Sequence, residues 1–292
     1  MTSGRFQLNA DSNTSNNVNS GAATDSTSSA TSTASSAHAN TNGQSGAAQV
    51  SEHVRKFIFQ SSTAGRTSIS ESRISGRRLN SAPTEVVEKL EIRIPELLQG
   101  GYSFYTWPCA PVLAWFLWER RHALIGQRIL ELGSGTALPG ILAAKCGAHV
   151  VLTDNCILPK SLAHIRKSCV ANKLIPGQDI DVIGLSWGLL LNSVFNLGPL
   201  DLIIAADCFY DPAVFEDIIV TIAFLLERNP VAKFFFTYQE RSADWSIEAL
   251  LKKWKLSAQQ VNIDDLGKCS DVDVLEVMCG HTIHLIEVTR EL

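Results

Sequence analysis

Apolar and polar positions change rhythm along this chain of 292 residues. Residues 53–59 and 90–95 alternate apolar and polar, the period-two pattern of half-buried strands. From Gly126 onward short apolar runs alternate with stretches of helical period. Residues 128–132, 149–153, 181–185, 201–206 and 233–237 are five such runs, each bounded by turn formers or charges. Between them, 139–146 predicts a helix with proline near its first turn and Gly147 as its stop. Leu158, Leu162, Ile165 and Cys169 recur at helical spacing, as do Val214, Ile218, Ile222 and Leu225 behind an Asp211–Pro212 start. Residues 242–255 predict a further helix, with Ile247, Leu250, Leu251 and Trp254 on one face. Residues 256–263 and 282–288 supply two last strands. Strands alternating with helices predict an α/β fold: an open, mostly parallel sheet with helices on both faces.

The first fifty residues carry no such rhythm. No Phe, Trp or Tyr lies between Phe6 and Phe57, and the segment is dominated by Ser, Thr, Ala, Asn and Gly. Too little apolar surface is available there to offset the entropy of ordering, so residues 1–50 read as a disordered tail. Residues 51–99 read as two strands separated by a solvated loop containing Arg66, Arg73, Arg77 and Arg78. The main domain is expected over 100–292.

Charge and cysteine narrow the classes. The net charge of -4 argues against a duplex nucleic-acid binder held by a basic face. Seven cysteines without a CxxC pair argue against a disulfide framework or a zinc knuckle, and fit a reducing compartment. The most apolar stretch, 107–118, contains two prolines and is too short to span a bilayer, so no membrane association is expected. No secretory h-region is visible near the start. Cys279, His281 and His284 resemble a metal cluster, but a strand would send the two histidines to opposite faces, so no metal is expected.

In open parallel sheets ligands bind beyond the carboxyl ends of the strands. The first strand offers Glu131 and then Gly133-Ser134-Gly135. The second ends at Asp154, the third runs into Trp187, and the fourth ends at Ala206-Asp207 with Tyr210 close behind. That predicts three carboxylates and an indole on one rim. A dinucleotide site fits poorly, since the last position of the G-x-G-x-x-G pattern is Leu138 and a carboxylate precedes the glycines; a P-loop is absent. S-adenosylmethionine suits these residues better. It carries no phosphate, its sulfonium and ammonium favour nearby acids, and its ribose hydroxyls suit Asp154. Each residue also has a plainer reading: Glu131 as partner of a helix end, Asp154 as a helix cap, Trp187 as core and Asp207 as a turn cap.

The sequences ELGSGT (131–136), LSWG (185–188) and DCFY (207–210), with Asp154 and the aromatic start YSFYTWP (102–108), resemble the class I seven-strand methyltransferases. Within them they resemble the distant-lysine-methyltransferase group. The resemblance runs from about Tyr102 to the C-terminus. It implies a Rossmann-like sheet of order 3-2-1-4-5-7-6 with the last strand antiparallel, and S-adenosylmethionine as donor. It implies cofactor contacts at Trp107, Glu131, Gly133, Ser134, Gly135, Asp154, Trp187, Ala206 and Asp207, with Asp207 and Tyr210 at the reacting end. A histone-arginine methyltransferase of nucleus and cytoplasm belongs to this group, so the resemblance implies a histone or other protein as substrate. The chain departs from the pattern in two ways. Ala137 replaces the third glycine of the usual turn, which is expected to narrow the cofactor site slightly, and the paired-glutamate loop of standard arginine methyltransferases is absent. Arginine and lysine therefore both stay open as acceptors, as does a catalytically weak cofactor-binding module.

Overall fold

The computed structural model describes residues 52–62, 87–97, 101–242, 245–264, 266–267 and 272–291. The predicted tail and the arginine-bearing loop lie outside these residues. Seven strands form one sheet: β3 (Arg128–Leu132), β4 (His149–Asp154), β5 (Asp181–Gly184), β6 (Leu202–Ala206), β7 (Lys233–Gln239), β8 (Leu256–Val261) and β9 (Ile283–Arg290). Their order is β5-β4-β3-β6-β7-β9-β8. Counted from β3 this is 3-2-1-4-5-7-6, and β9 pairs antiparallel with both β7 and β8, as the resemblance implied.

The strands β3 to β7 are parallel, but strand order runs outward from β3 to β4 and β5 on one side and from β6 to β7 on the other, and this switch opens a crevice at the carboxyl ends of β3 and β6. Each βα step has a local cause. Helix α2 (Leu138–Lys145) starts with Pro139 in its first turn. Helix α3 (Pro159–Ala171) likewise begins with proline. Asp211 accepts a hydrogen bond from the Ala213 N–H and starts the turn that leads into α5 (Phe215–Arg228). The two faces of the sheet feed two cores. Ile129 and Leu152 face α2 and α3, while Leu130, Leu132 and Ile203 face α5.

Helix α1 (Cys109–Glu119) was not expected from the sequence. Ten of its eleven residues are buried, so it shows no polar stripe and no helical period to read. It packs beside α2, and Phe116 meets Phe235 of β7 at 4.9 Å between ring centres. Against its far side lies an antiparallel pair, β1 (Glu52–Ser62) and β2 (Val87–Leu97). Phe59 of β1 sits 5.0 Å from Trp115 of α1. Asn172 at the end of α3 ties β2 down by accepting from the Arg93 N–H at 2.8 Å and donating to the Arg93 carbonyl at 2.7 Å.

The helix predicted over 242–255 is shorter, with α6 spanning Glu248–Lys253. Ser246 Oγ accepts from the Glu248 N–H just ahead of the helix, while Trp245 sits edge-on to Phe215 at 5.9 Å. Short helices α4 (Asn192–Phe195) and α7 (Val274–Met278) complete the chain. The last two strands are joined through α7 and pair as expected.

Candidate active site

A cavity of about 350 Å³ opens at the carboxyl ends of β3, β4 and β6. That is within the roughly 300–1,000 Å³ common for small-molecule sites. Its floor is the turn after β3. Gly133 and Gly135 adopt φ of +59° and +51°. A Cβ at Gly133 would stand 2.8 Å from both Cys208 Sγ and the Trp187 ring, so glycine is what lets the indole lie over the turn. The turn is clamped to β4: the Ser134 N–H donates to the Thr153 carbonyl at 2.8 Å, and the Thr153 N–H donates to Ser134 Oγ at 3.1 Å.

Asp154, at the tip of β4, is nearly buried and lines the cavity. It accepts from the Gly135 N–H at 3.0 Å and from the Asn155 N–H at 2.7 Å, and does not cap α3. Burial raises its pKa, against the pull of those two N–H donors. The roof comes from the segment before α1. Trp107 donates through its indole N–H to the Tyr102 carbonyl, and Tyr105 meets its ring edge-on. Thr106 anchors this segment, with its N–H on Glu96 of β2 and its hydroxyl 3.0 Å from that of Thr136.

The far end is formed by Asp207 and Tyr210. Asp207 holds a left-handed backbone at φ +60°, an uncommon state for a residue with a side chain. Its N–H donates to the Thr237 carbonyl, which fixes it against β7. Its carboxylate is met by Arg241, with Nη1 on Oδ1 at 2.9 Å and Nη2 on Oδ2 at 2.7 Å. That hydrogen-bonded pair raises the Arg241 pKa. Tyr210 is half-exposed at the mouth, and burial raises its pKa, so the phenol stays protonated.

Of the residues singled out in the sequence, Trp107, Gly133, Ser134, Gly135, Asp154, Trp187, Ala206, Asp207 and Tyr210 line this one cavity. Glu131 does not. Alternate residues of a strand face opposite ways, and Glu131 points with Ile129 toward α2. There it accepts from the Gly140 N–H at 3.1 Å and is buried at 1% exposure. Burial pushes its pKa up to about 8, so it is mainly neutral near pH 7. Ala137 does not narrow the cavity either. It is fully buried in the core at φ +64°, so its methyl points away from the site and its cost is backbone strain.

The rim therefore carries less negative charge than three carboxylates suggested. Glu131 is buried below it and Asp207 is neutralised by Arg241. Sequence reasoning missed Arg241, although the strand-end rule, carried on to β7, reaches it two residues past Gln239. The cavity still discriminates among nucleotides. Among the described residues that line it there is no lysine, and Arg241 is already paired, so a pyrophosphate would find no cation. A phosphate-free nucleoside fits: glycines allow close approach, Trp187 offers a ring face and Asp154 offers carboxylate oxygens to hydroxyls.

Residues 86–252 match the protein family described as lysine methyltransferase. The chain belongs to that family. It is an S-adenosylmethionine-dependent protein methyltransferase, on a fold whose strand order matches that class. It is 45% identical over 205 residues to the histone-arginine methyltransferase METTL23 of Xenopus laevis, an alignment covering 70% of this chain and 86% of that one. To the histone-arginine methyltransferase METTL23 of Homo sapiens it is 44% identical, covering 63% and 96%. To the protein-lysine methyltransferase METTL21E of Bos taurus it is 34% identical, covering 48% and 49%. The relatives thus carry names for both acceptors.

Proposed function

We propose that this family member is a protein-arginine N-methyltransferase that acts on histones or histone-like segments in nucleus and cytoplasm. The observation that carries the reading is the Asp207 carboxylate, which already seats a guanidinium on both oxygens. The relatives at 44% and 45% identity are named for histone arginine, which supports the same acceptor. A lysine acceptor is the second reading, favoured by the description of the family as a whole.

S-adenosylmethionine, when bound, would supply a methyl group on a positive sulfonium: the acceptor nitrogen would form the N–C bond in line as the C–S bond breaks, S-adenosylhomocysteine would leave, and the nitrogen's proton would pass to solvent. The residues of the chain do the rest by position. Gly133 and Gly135 would let the donor lie close to the backbone, Asp154 would take its ribose hydroxyls, and Trp187 would pack on its base. Trp107 covers the donor, and Ala206-Asp207 marks the boundary with the acceptor. Asp207 Oδ2 accepts a hydrogen bond from the acceptor nitrogen and turns it toward the methyl. The neutral phenol of Tyr210 borders the same space. Alignment and electrostatics supply most of the acceleration, since the leaving group is already activated.

Incubation with core histones and methyl-labelled S-adenosylmethionine, followed by mass spectrometry of the labelled peptides, tests the reading. The expected product is methylarginine. Label confined to lysine would move the assignment to the second reading, and no label on histones or on extract proteins would overturn both.

A further inference from the structure

The Asp207–Arg241 pair is lopsided in its freedom. Asp207 is fixed: its side chain is 6% exposed, its backbone is held by Thr237, and the Gln239 N–H also reaches Oδ1 at 3.3 Å. Arg241 lies beyond the end of β7 and its side chain is 25% exposed. Arg241 can therefore leave toward solvent without unpairing β6 from β7, whereas Asp207 cannot.

Leaving Asp207 bare is unfavourable, because a buried carboxylate without its cation is a charge without compensation. Exchanging one guanidinium for another is different: the two hydrogen bonds to Asp207 are remade, and the bond given up is the one from Arg241 Nη1 to the Gln239 carbonyl at 3.1 Å, at a partly exposed position. A planar guanidinium matches both carboxylate oxygens at once, and an ammonium does not. The acceptor end of the cavity is thus chemically complementary to an arginine side chain and is already filled by one of the chain's own.

We propose that Arg241 is an internal stand-in for the acceptor: it holds Asp207 until a substrate arginine takes the same two-point seat, and this exchange selects arginine over lysine. The inference deepens the reading above and rests on it. Arg241 is then a positioning residue that acts through Asp207. The step makes and breaks only hydrogen bonds and needs no co-reactant.

A binding experiment judges the exchange without methyl transfer. Arg241→Ala and Arg241→Lys are melted with and without low-millimolar N-methylguanidinium or methylammonium. Arg241→Ala is expected to melt lower than the parent protein, to be restored by N-methylguanidinium and to ignore methylammonium. Arg241→Lys keeps a cation at the site and is expected to show the same probe preference more weakly. Equal response to both probes, or to neither, in both variants would overturn the proposal. Kinetics with an arginine histone peptide add a second readout. Removing the stand-in by Arg241→Ala is expected to lower KM by about tenfold, the equivalent of ~1.4 kcal/mol, with kcat moving less than KM. A rise in KM, or a fall in kcat with KM unmoved, would make Arg241 a fixed part of the site and overturn the exchange. If no peptide is methylated by any form of the protein, the melting result still decides the exchange, so failure of the functional reading is seen separately.

Discussion

The carboxyl of Glu131 ends beneath the first turn of α2, with Oε2 3.1 Å from the backbone nitrogen of Gly140. A Cβ at Gly140 would come within 2.4 Å of that oxygen and 2.3 Å of Leu152 Cδ2, so the two positions are matched. Glu131 supports the helix whose preceding turn forms the cavity floor, and does not face the cavity itself.

That relationship predicts a pH dependence of stability. Burial raises the folded-state pKa of Glu131 from 4.5 to about 8. Between those values the folded protein binds a proton that the unfolded chain has released. Stability from this group is therefore full below the lower value and falls as pH rises toward the upper one, by at most about 1.4 kcal/mol per pH unit. Glu131→Gln keeps an oxygen for Gly140 and removes the titration. Urea midpoints across the mildly acidic to mildly alkaline range are expected to fall more steeply for the parent protein than for the variant. Parallel slopes would count against a neutral Glu131.

Gly133→Ala is expected to weaken both folding and cofactor binding. The left-handed backbone costs about 1–2 kcal/mol for a side-chain residue. The new Cβ also collides with Cys208 and with the Trp187 ring over the turn. Calorimetry with S-adenosylhomocysteine should show a loss of at least about tenfold, or ~1.4 kcal/mol. Unchanged affinity would mean that the indole does not cover the ligand.

Ala137→Gly sets two small effects against each other. Glycine relieves strain of about 1–2 kcal/mol at φ +64°. It also gives up a buried methyl worth ~0.8 kcal/mol. The net change in urea-measured stability is expected to be stabilising or neutral, within about 1 kcal/mol, with S-adenosylhomocysteine affinity unaltered because the methyl faces the core. A marked change in affinity would place Ala137 in the ligand's path.

The sheet was legible because buried parallel strands and their helices leave distinct periods in the sequence, and because glycine, proline and aspartate punctuate them. Helix α1 was not, since burial on all sides erases the polar stripe that marks a helix. The short α6 was overextended because its apolar face runs on into Trp245 and Ile247, which pack on α5 and β7 without being helical. Most of the site could be found from the rule that ligands sit at strand ends. That rule names positions but not the side to which a side chain points, and so it misassigned Glu131. Nor does sequence spacing reveal the Asp207–Arg241 pair, which joins residues 34 apart through the β6–β7 pairing.

The central claim is that this cavity receives the methyl donor, a phosphate-free nucleoside, on Asp154 and the glycine turn. Titration calorimetry of S-adenosylhomocysteine and NAD into the parent protein and Asp154→Ala tests it most directly. The account predicts binding of S-adenosylhomocysteine but not NAD by the parent protein, and a loss of about tenfold or more in the variant. Binding of NAD by the parent, or equal S-adenosylhomocysteine affinity in both proteins, would contradict it.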